Sequence, residues 1–144
     1  MSQVMLITGT RKGIGRFLVD RYLAQGYVVA GCSRKSFDEP EPEGYHHYRV
    51  DVANEHEVVQ MVRDVAKKFG TPAVLINNAG IAAMNHLLLT PLSAVQKIFS
   101  TNVFGMFVAM ILDNAVEMRL DRWRIANQVR KLSAMSSRVG LSRA

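Results

Sequence analysis

The chain has 144 residues, 49% of them hydrophobic and 21% charged, with a formal net charge of +6. That length holds one domain with a real core but not two, and the balance excludes a disordered or low-complexity chain. Cys32 is the only cysteine, which excludes an internal disulfide and any two-cysteine metal or redox motif.

Val4-Met5-Leu6-Ile7, ending in Thr8-Gly9, predicts a short buried strand. Gly13 to Gln25 then has helical spacing, with Ile14, Phe17, Leu18, Tyr22 and Leu23 forming the apolar stripe expected to face the core. Gly26 stands where a helix C-terminal glycine belongs. Tyr27 to Cys32 predicts a second strand. Ser36 to Gly44, with two prolines and four acidic residues, predicts a surface loop. His46 to Val50 reads as a third, more exposed strand, where His46 and His47 make no metal site without further ligands. Asn54 to Phe69 predicts a helix with Val58, Val59, Met61, Val62 and Val65 inward and Gly70 at its end. Ala73 to Ile76 is a fourth strand, and a further helix is expected from near Ser100 through Phe107. Met84, Met106, Met110 and Met118 read as core filler.

After Gly105 the composition changes, with 7 Lys+Arg against 3 Asp+Glu. Asp113 to Lys131 lacks glycine and proline and reads as an amphipathic basic helix with Val116, Leu120, Trp123 and Ala126 inward. A fifth strand falls either at Lys131 to Met135, which we prefer, or at Arg124 to Val129. The basic excess reads as a solvated helix face, so no nucleic-acid partner is expected. No basic leader opens the chain and no apolar stretch reaches the roughly 20 residues of a bilayer span, so the expectation is a cytoplasmic protein without a membrane partner. Alternating strands and helices predict an α/β fold, with residues 1–144 as one domain and 113–144 as its atypical part.

The densest chemical signal is Thr8-Gly9-Thr10-Arg11-Lys12-Gly13-Ile14-Gly15, between the first strand and the first helix. A pyrophosphate needs a tight turn, backbone that can approach it, and free amides at a helix N-terminus. Glycines at 9, 13 and 15 supply the first two, and the helix start supplies the third. The spacing differs from the general G-x-G-x-x-G fingerprint, because Gly15 is followed by Arg16-Phe17-Leu18.

Thr-Gly-x-x-x-Gly-x-Gly resembles the form used by the short-chain dehydrogenase/reductase family. Asn77-Asn78-Ala79-Gly80 after the fourth strand, Asp51-Val52 after the third, and Thr101-Asn102-Val103-Phe104-Gly105 resemble its further motifs, in the right order. The resemblance runs from about Val4 to Phe107. It implies a Rossmann-like doubly wound parallel sheet with helices on both faces, a nicotinamide cofactor, and hydride transfer to or from a carbonyl or alcohol substrate. It also implies cofactor contacts from Gly9, Thr10, Arg11, Lys12, Gly13, Ile14, Gly15, Asp51, Val52, Asn78, Ala79 and Gly80, and a proton-relay role for Asn102. The helix after Asn102 corresponds to one the family uses for dimers, which implies a homo-oligomer.

Charge selects the cofactor. An acidic residue after the second strand would hold the ribose 2′-hydroxyl of NAD, but here the segment reads Ser33-Arg34-Lys35. Arg34 offers a planar fork to a 2′-phosphate, and Arg11 and Lys12 are expected on the same side, so NADP is preferred to NAD. No metal is expected.

The family's Tyr-x-x-x-Lys pair is missing. Tyr22, Tyr27, Tyr45 and Tyr48 are followed four positions on by Gly26, Gly31, Arg49 and Val52. Ser136-Ser137 resembles the end of the family's fifth strand, which would make Ser137 the serine that orients the substrate oxygen. The chain stops at Ala144, before the helix that would carry the pair. The sheet is therefore expected to be incomplete on its C-terminal side, as a truncated or frame-shifted coding sequence would leave it. The rival expectations are a catalytically inactive nucleotide-binding protein and an interaction fragment.

Overall fold

A computed structural model describes residues 3–37, 40–83, 86 and 89–110. Strands β1 (Val4–Thr8), β2 (Val28–Ser33), β3 (Tyr45–Arg49) and β4 (Val74–Ile76) alternate with helices α1 (Gly13–Leu23) and α2 (Glu55–Phe69). Helix α3 (Leu92–Phe99) runs into a π-helical turn at Ser100–Phe104. The sheet has the order β3-β2-β1-β4, with every pairing parallel. The fold is α/β, as the alternation predicts, and Rossmann-like, as the resemblance implies. The basic segment 113–144, with both fifth-strand alignments and Ser137, lies outside the described residues, as do Met84 and Met118.

Successive side chains of a strand point to opposite faces, so β1 divides its apolar residues between two cores. Val4 and Leu6 join Ala30, Cys32, Val50 and Val52 against Val58, Met61, Val62 and Val65 of α2. Met5 and Ile7 join Val29 and Tyr45 against Val19 of α1. A continuous apolar run such as β1 is what a strand covered on both faces requires. Both α2 and its inward valines match the sequence reading. No helix among the described residues is long and apolar enough to cross a membrane.

Three expectations are corrected. The apolar stripe of α1 does not all turn inward: Ile14 is 73% and Phe17 64% exposed, while Gly15 and Val19 are buried. The helix docks through its smallest residue, whose lack of a side chain lets the backbone press onto the preceding turn, and this rotates Ile14 and Phe17 out of the core. The helix expected from near Ser100 begins at Leu92. The wide turn at Ser100–Phe104 shifts the phase of the apolar positions on its two sides, so they do not form one stripe. Met106 and Met110 are 41% and 42% exposed and not core, because the buried stripe there consists of the smaller Thr101, Gly105 and Ala109. A Cβ on Gly105 would sit 2.9 Å from the Val52 carbonyl oxygen, so this helix meets the turn between β3 and α2 backbone against backbone.

Leu6, fully buried at the centre of the sheet, should cost about 2–5 kcal/mol when cut to alanine, measured by urea unfolding. Phe17→Ala should cost less than about 1 kcal/mol in the same assay, and a larger loss would show that Phe17 is core after all.

Candidate functional site

The turn between β1 and α1 is held from three directions. From β2, the Cys32 carbonyl accepts hydrogen bonds from the Gly9 amide at 2.8 Å and the Thr10 amide at 3.0 Å. From the loop after β4, the Asn78 side-chain amide donates to the Thr8 and Gly9 carbonyls, each at 3.0 Å. The Thr8 hydroxyl in turn accepts from the Asn78 and Ala79 backbone amides, each at 3.0 Å. From α1, Gly15 lies so close that a side chain there would drive its Cβ into the Gly9 carbonyl and to 2.6 Å from Asn78 Nδ2. Gly9 has φ +76, and a Cβ on it would lie 2.8 Å from the Ala79 Cα. Gly13 has φ +60, also in the left-handed region that glycine adopts without strain.

The two long helices begin differently. Helix α2 is capped by Asn54, whose side chain accepts from the Glu57 amide at 3.4 Å, and two acidic residues occupy its first turn. Helix α1 starts after Lys12 with no side-chain cap and no acidic residue in its first turn. Its first amides and the positive end of its dipole face the turn with neither a side-chain cap nor a first-turn carboxylate to satisfy them.

An open cleft of about 690 Å³ lies over this turn, at the C-terminal ends of the parallel strands. Its walls include Gly9, Arg11, Lys12, Ser33, Arg34, Lys35, Asp51, Val52, Ala79, Gly80, Ile81 and Thr101. Clefts at this end of a doubly wound sheet are where such folds take ligands. Both basic pairs expected from the sequence line it together. Arg34, Lys35 and Lys12 form no ion pair with a described carboxylate.

Of the other predicted residues, Gly13, Gly15 and Asn78 shape the turn without lining the cleft. Ile14 projects from α1 into solvent. Thr10 is fully buried, and its amide and hydroxyl are both engaged within the protein, the hydroxyl by Tyr45 at 2.7 Å and the Cys32 carbonyl at 3.4 Å. Asp51 is fixed by its own turn: its amide donates to Glu57 at 2.8 Å and its carboxylate accepts from the Ala53 amide at 3.0 Å. Asn102 sits in the π-helical turn. Its side chain clamps Ile81, accepting from the Ile81 amide at 2.9 Å and donating to the Ile81 carbonyl at 2.8 Å.

Sequence reasoning missed Arg49, Ile81 and Thr101 at the cleft and Gly31 beneath it. A glycine inside a strand was the available signal for Gly31, since it marks a place where other atoms come close. Burial pushes the Cys32 thiol up to about 11, with the Asp51 charge adding to this and a hydrogen bond to the Gly9 backbone opposing it. Burial likewise raises Tyr45 to about 12. Both groups therefore stay protonated under the floor of the cleft at neutral pH. Among the described residues no three His, Cys, Asp or Glu side chains converge as metal ligands.

Residues 3–118 match the family model for short chain dehydrogenase. The chain is 33% identical over 120 residues to 2-(R)-hydroxypropyl-CoM dehydrogenase of Xanthobacter autotrophicus, covering 75% of this chain and 48% of that one. It is 32% identical over 116 residues to a 3-oxoacyl-acyl-carrier-protein reductase of Staphylococcus epidermidis, covering 74% and 48%. A solved structure of ElxO with NADP bound is 32% identical, with a TM-score of 0.69 over 76% of this chain and 48% of that one. Ligand-free aldohexose dehydrogenase of Thermoplasma acidophilum, 28% identical, reaches a TM-score of 0.76 over 82% and 45%. The chain spans about half the length of the curated relatives it matches.

Asn78→Ala should lower stability by about 1–3 kcal/mol in urea unfolding, because two carbonyls of the turn lose their donor. Cys32 should react with a thiol reagent at pH 8 at least ~100-fold more slowly than a free cysteine, since the thiolate is the nucleophile. The raised thiol contributes stability that is complete below the ordinary cysteine range and is lost as pH rises through about 11. Cys32→Ala should therefore flatten the alkaline limb of stability against pH, and rapid labelling of the native chain at pH 8 would contradict the burial.

Proposed function

The chain belongs to the short-chain dehydrogenase family, and on that premise we propose that its cleft binds NADP in preference to NAD. The observation that carries this reading is the uncapped start of α1 beneath a cleft walled by Arg11, Lys12, Arg34 and Lys35. The pyrophosphate rests on the amides at the start of α1, reached across glycine backbone at 9, 13 and 15. Arg34 and Lys35, at the end of β2, meet the ribose 2′-phosphate, and Arg11 and Lys12 add positive potential from the turn. Asp51 and Val52 lie against the adenine, and Ala79 and Gly80 border the path toward the nicotinamide. The NADP held by the ElxO structure supports the same choice of cofactor.

When bound, the nicotinamide supplies or accepts the hydride for a carbonyl or alcohol substrate. The chain's own residues hold the cofactor's phosphates and favour a 2′-phosphate over a 2′-hydroxyl by charge. Asn102 fixes the loop after β4 through Ile81, so a proton relay there uses its main-chain carbonyl, the side-chain amide being already engaged. Ser137 is assigned to the substrate oxygen on its motif alone. None of the four tyrosines has a lysine four positions on, so the proposal for these 144 residues is cofactor binding and not turnover.

Fluorescence titration should show NADPH binding more tightly than NADH. Arg34→Ala should weaken NADPH by roughly 10- to 100-fold, the worth of hydrogen bonds to a charged group, and change NADH by less than about threefold. No NADPH binding by the unaltered chain, or an equal loss of both cofactors in the variant, would overturn the reading.

A further inference from the structure

A chain of polar side chains that the proposed cofactor contacts do not use runs from Thr10 through Tyr45 and His47 to Ser33, which lines the cleft. Parallel pairing of β2 with β3 sets Gly31 opposite His47. A Cβ on Gly31 would fall 2.6 Å from both the Thr10 and the Tyr45 hydroxyl oxygens, so the missing side chain leaves the space these groups occupy. The Tyr45 hydroxyl lies 2.7 Å from Thr10 Oγ1 and 2.8 Å from His47 Nδ1, and its single proton serves one of the two at a time. His47 Nε2 lies 3.1 Å from Ser33 Oγ and 3.1 Å from the Lys35 carbonyl oxygen. The Ser33 hydroxyl donates to that same carbonyl at 2.6 Å.

A carbonyl oxygen can only accept, so the contact with Lys35 requires a proton on His47 Nε2. The ring itself is held by Phe37, 5.6 Å away between centroids at an interplanar angle of 34°, and Arg16 covers the Phe37 ring at 4.7 Å. His47 therefore grips the residue on each side of Arg34, Ser33 by its hydroxyl and Lys35 by its backbone. Through Tyr45 and Thr10 the same network reaches the glycine turn.

We propose that His47 is a positioning residue for cofactor selection: it fixes the Ser33-Arg34-Lys35 segment so that Arg34 is presented to a 2′-phosphate. This rests on the NADP reading above. A 2′-hydroxyl makes no demand on Arg34, so the effect of His47 belongs to NADPH and leaves NADH nearly untouched. That separates positioning from general support of the fold, which would weaken both cofactors together.

The test compares NADPH and NADH affinities of the full chain with those of His47→Leu and His47→Gln. His47→Leu should weaken NADPH about tenfold, the scale of one lost hydrogen bond to an oriented charged group, and leave NADH within about threefold. His47→Gln, whose side-chain amide can again donate to the Lys35 carbonyl, should recover most of the loss. An unchanged NADPH/NADH ratio in His47→Leu, or equal weakening of both, would overturn the positioning role while leaving the NADP reading intact. Absence of NADPH preference in the unaltered chain would instead overturn the NADP reading. A second measurement needs no variant: the nitrogen-15 spectrum of the unaltered chain should show the His47 ring protonated at Nε2. A neutral ring with its proton on Nδ1 would contradict the proposal.

Discussion

At Gly9 the backbones of three separate elements come within van der Waals contact. Its amide is tied to β2 through the Cys32 carbonyl, its carbonyl to the loop after β4 through Asn78, and its Cα faces that of Ala79. Gly15 then brings the start of α1 onto the same carbonyl. Each contact excludes a side chain at one or both partners. The crowding fixes where the first amides of α1 point, and the order β3-β2-β1-β4 then decides which loops surround them. The loop ends of β2, β3 and β4 all arrive at one rim because every strand runs the same way.

Electrostatics follows from that placement. Asn54, Glu55 and Glu57 satisfy the N-terminus of α2 locally, whereas α1 has neither cap nor acid. An uncapped helix start is costly unless water or an anion meets it, and the cations gathered around this one strengthen the attraction for a phosphate. Among the residues lining the cleft the carboxylate is Asp51, held in its own turn by the Ala53 amide.

Strands β1, β2 and β4 were legible as short apolar runs and α2 because its valines keep a helical period, whereas β3 carries polar side chains and reads as a more exposed strand. Much of the cleft's composition was legible too, since three motifs and the Ser33-Arg34-Lys35 segment fall at the ends of strands that a parallel sheet must align. The docking face of α1 was hidden, because periodicity counts Ile14 and Phe17 as apolar and gives no weight to Gly15, which makes the contact. The start of α3 was hidden by the π-helical turn, which resets the phase that such reading depends on. The Thr10–Tyr45–His47–Ser33 network was beyond sequence reasoning. It exists only once the β2–β3 register sets Gly31 opposite His47, and one residue of slip would turn His47 to the other face. The Asn102 motif was recognisable in the sequence, but the engagement of its side-chain amide by Ile81 depends on a fold in three dimensions.

The central claim is that one cleft, built on the Gly9–Gly15 turn, receives the dinucleotide. The most direct measurement is a map of backbone amide shifts in nitrogen-15-labelled chain as NADPH is added. The account predicts the largest changes at Gly9 through Gly15, at Ser33 to Lys35 and at Ala79 and Gly80, with little change along α2. Shifts concentrated instead around Tyr48, Gln60 and Arg63, which line a second cleft between β3 and α2, would contradict it.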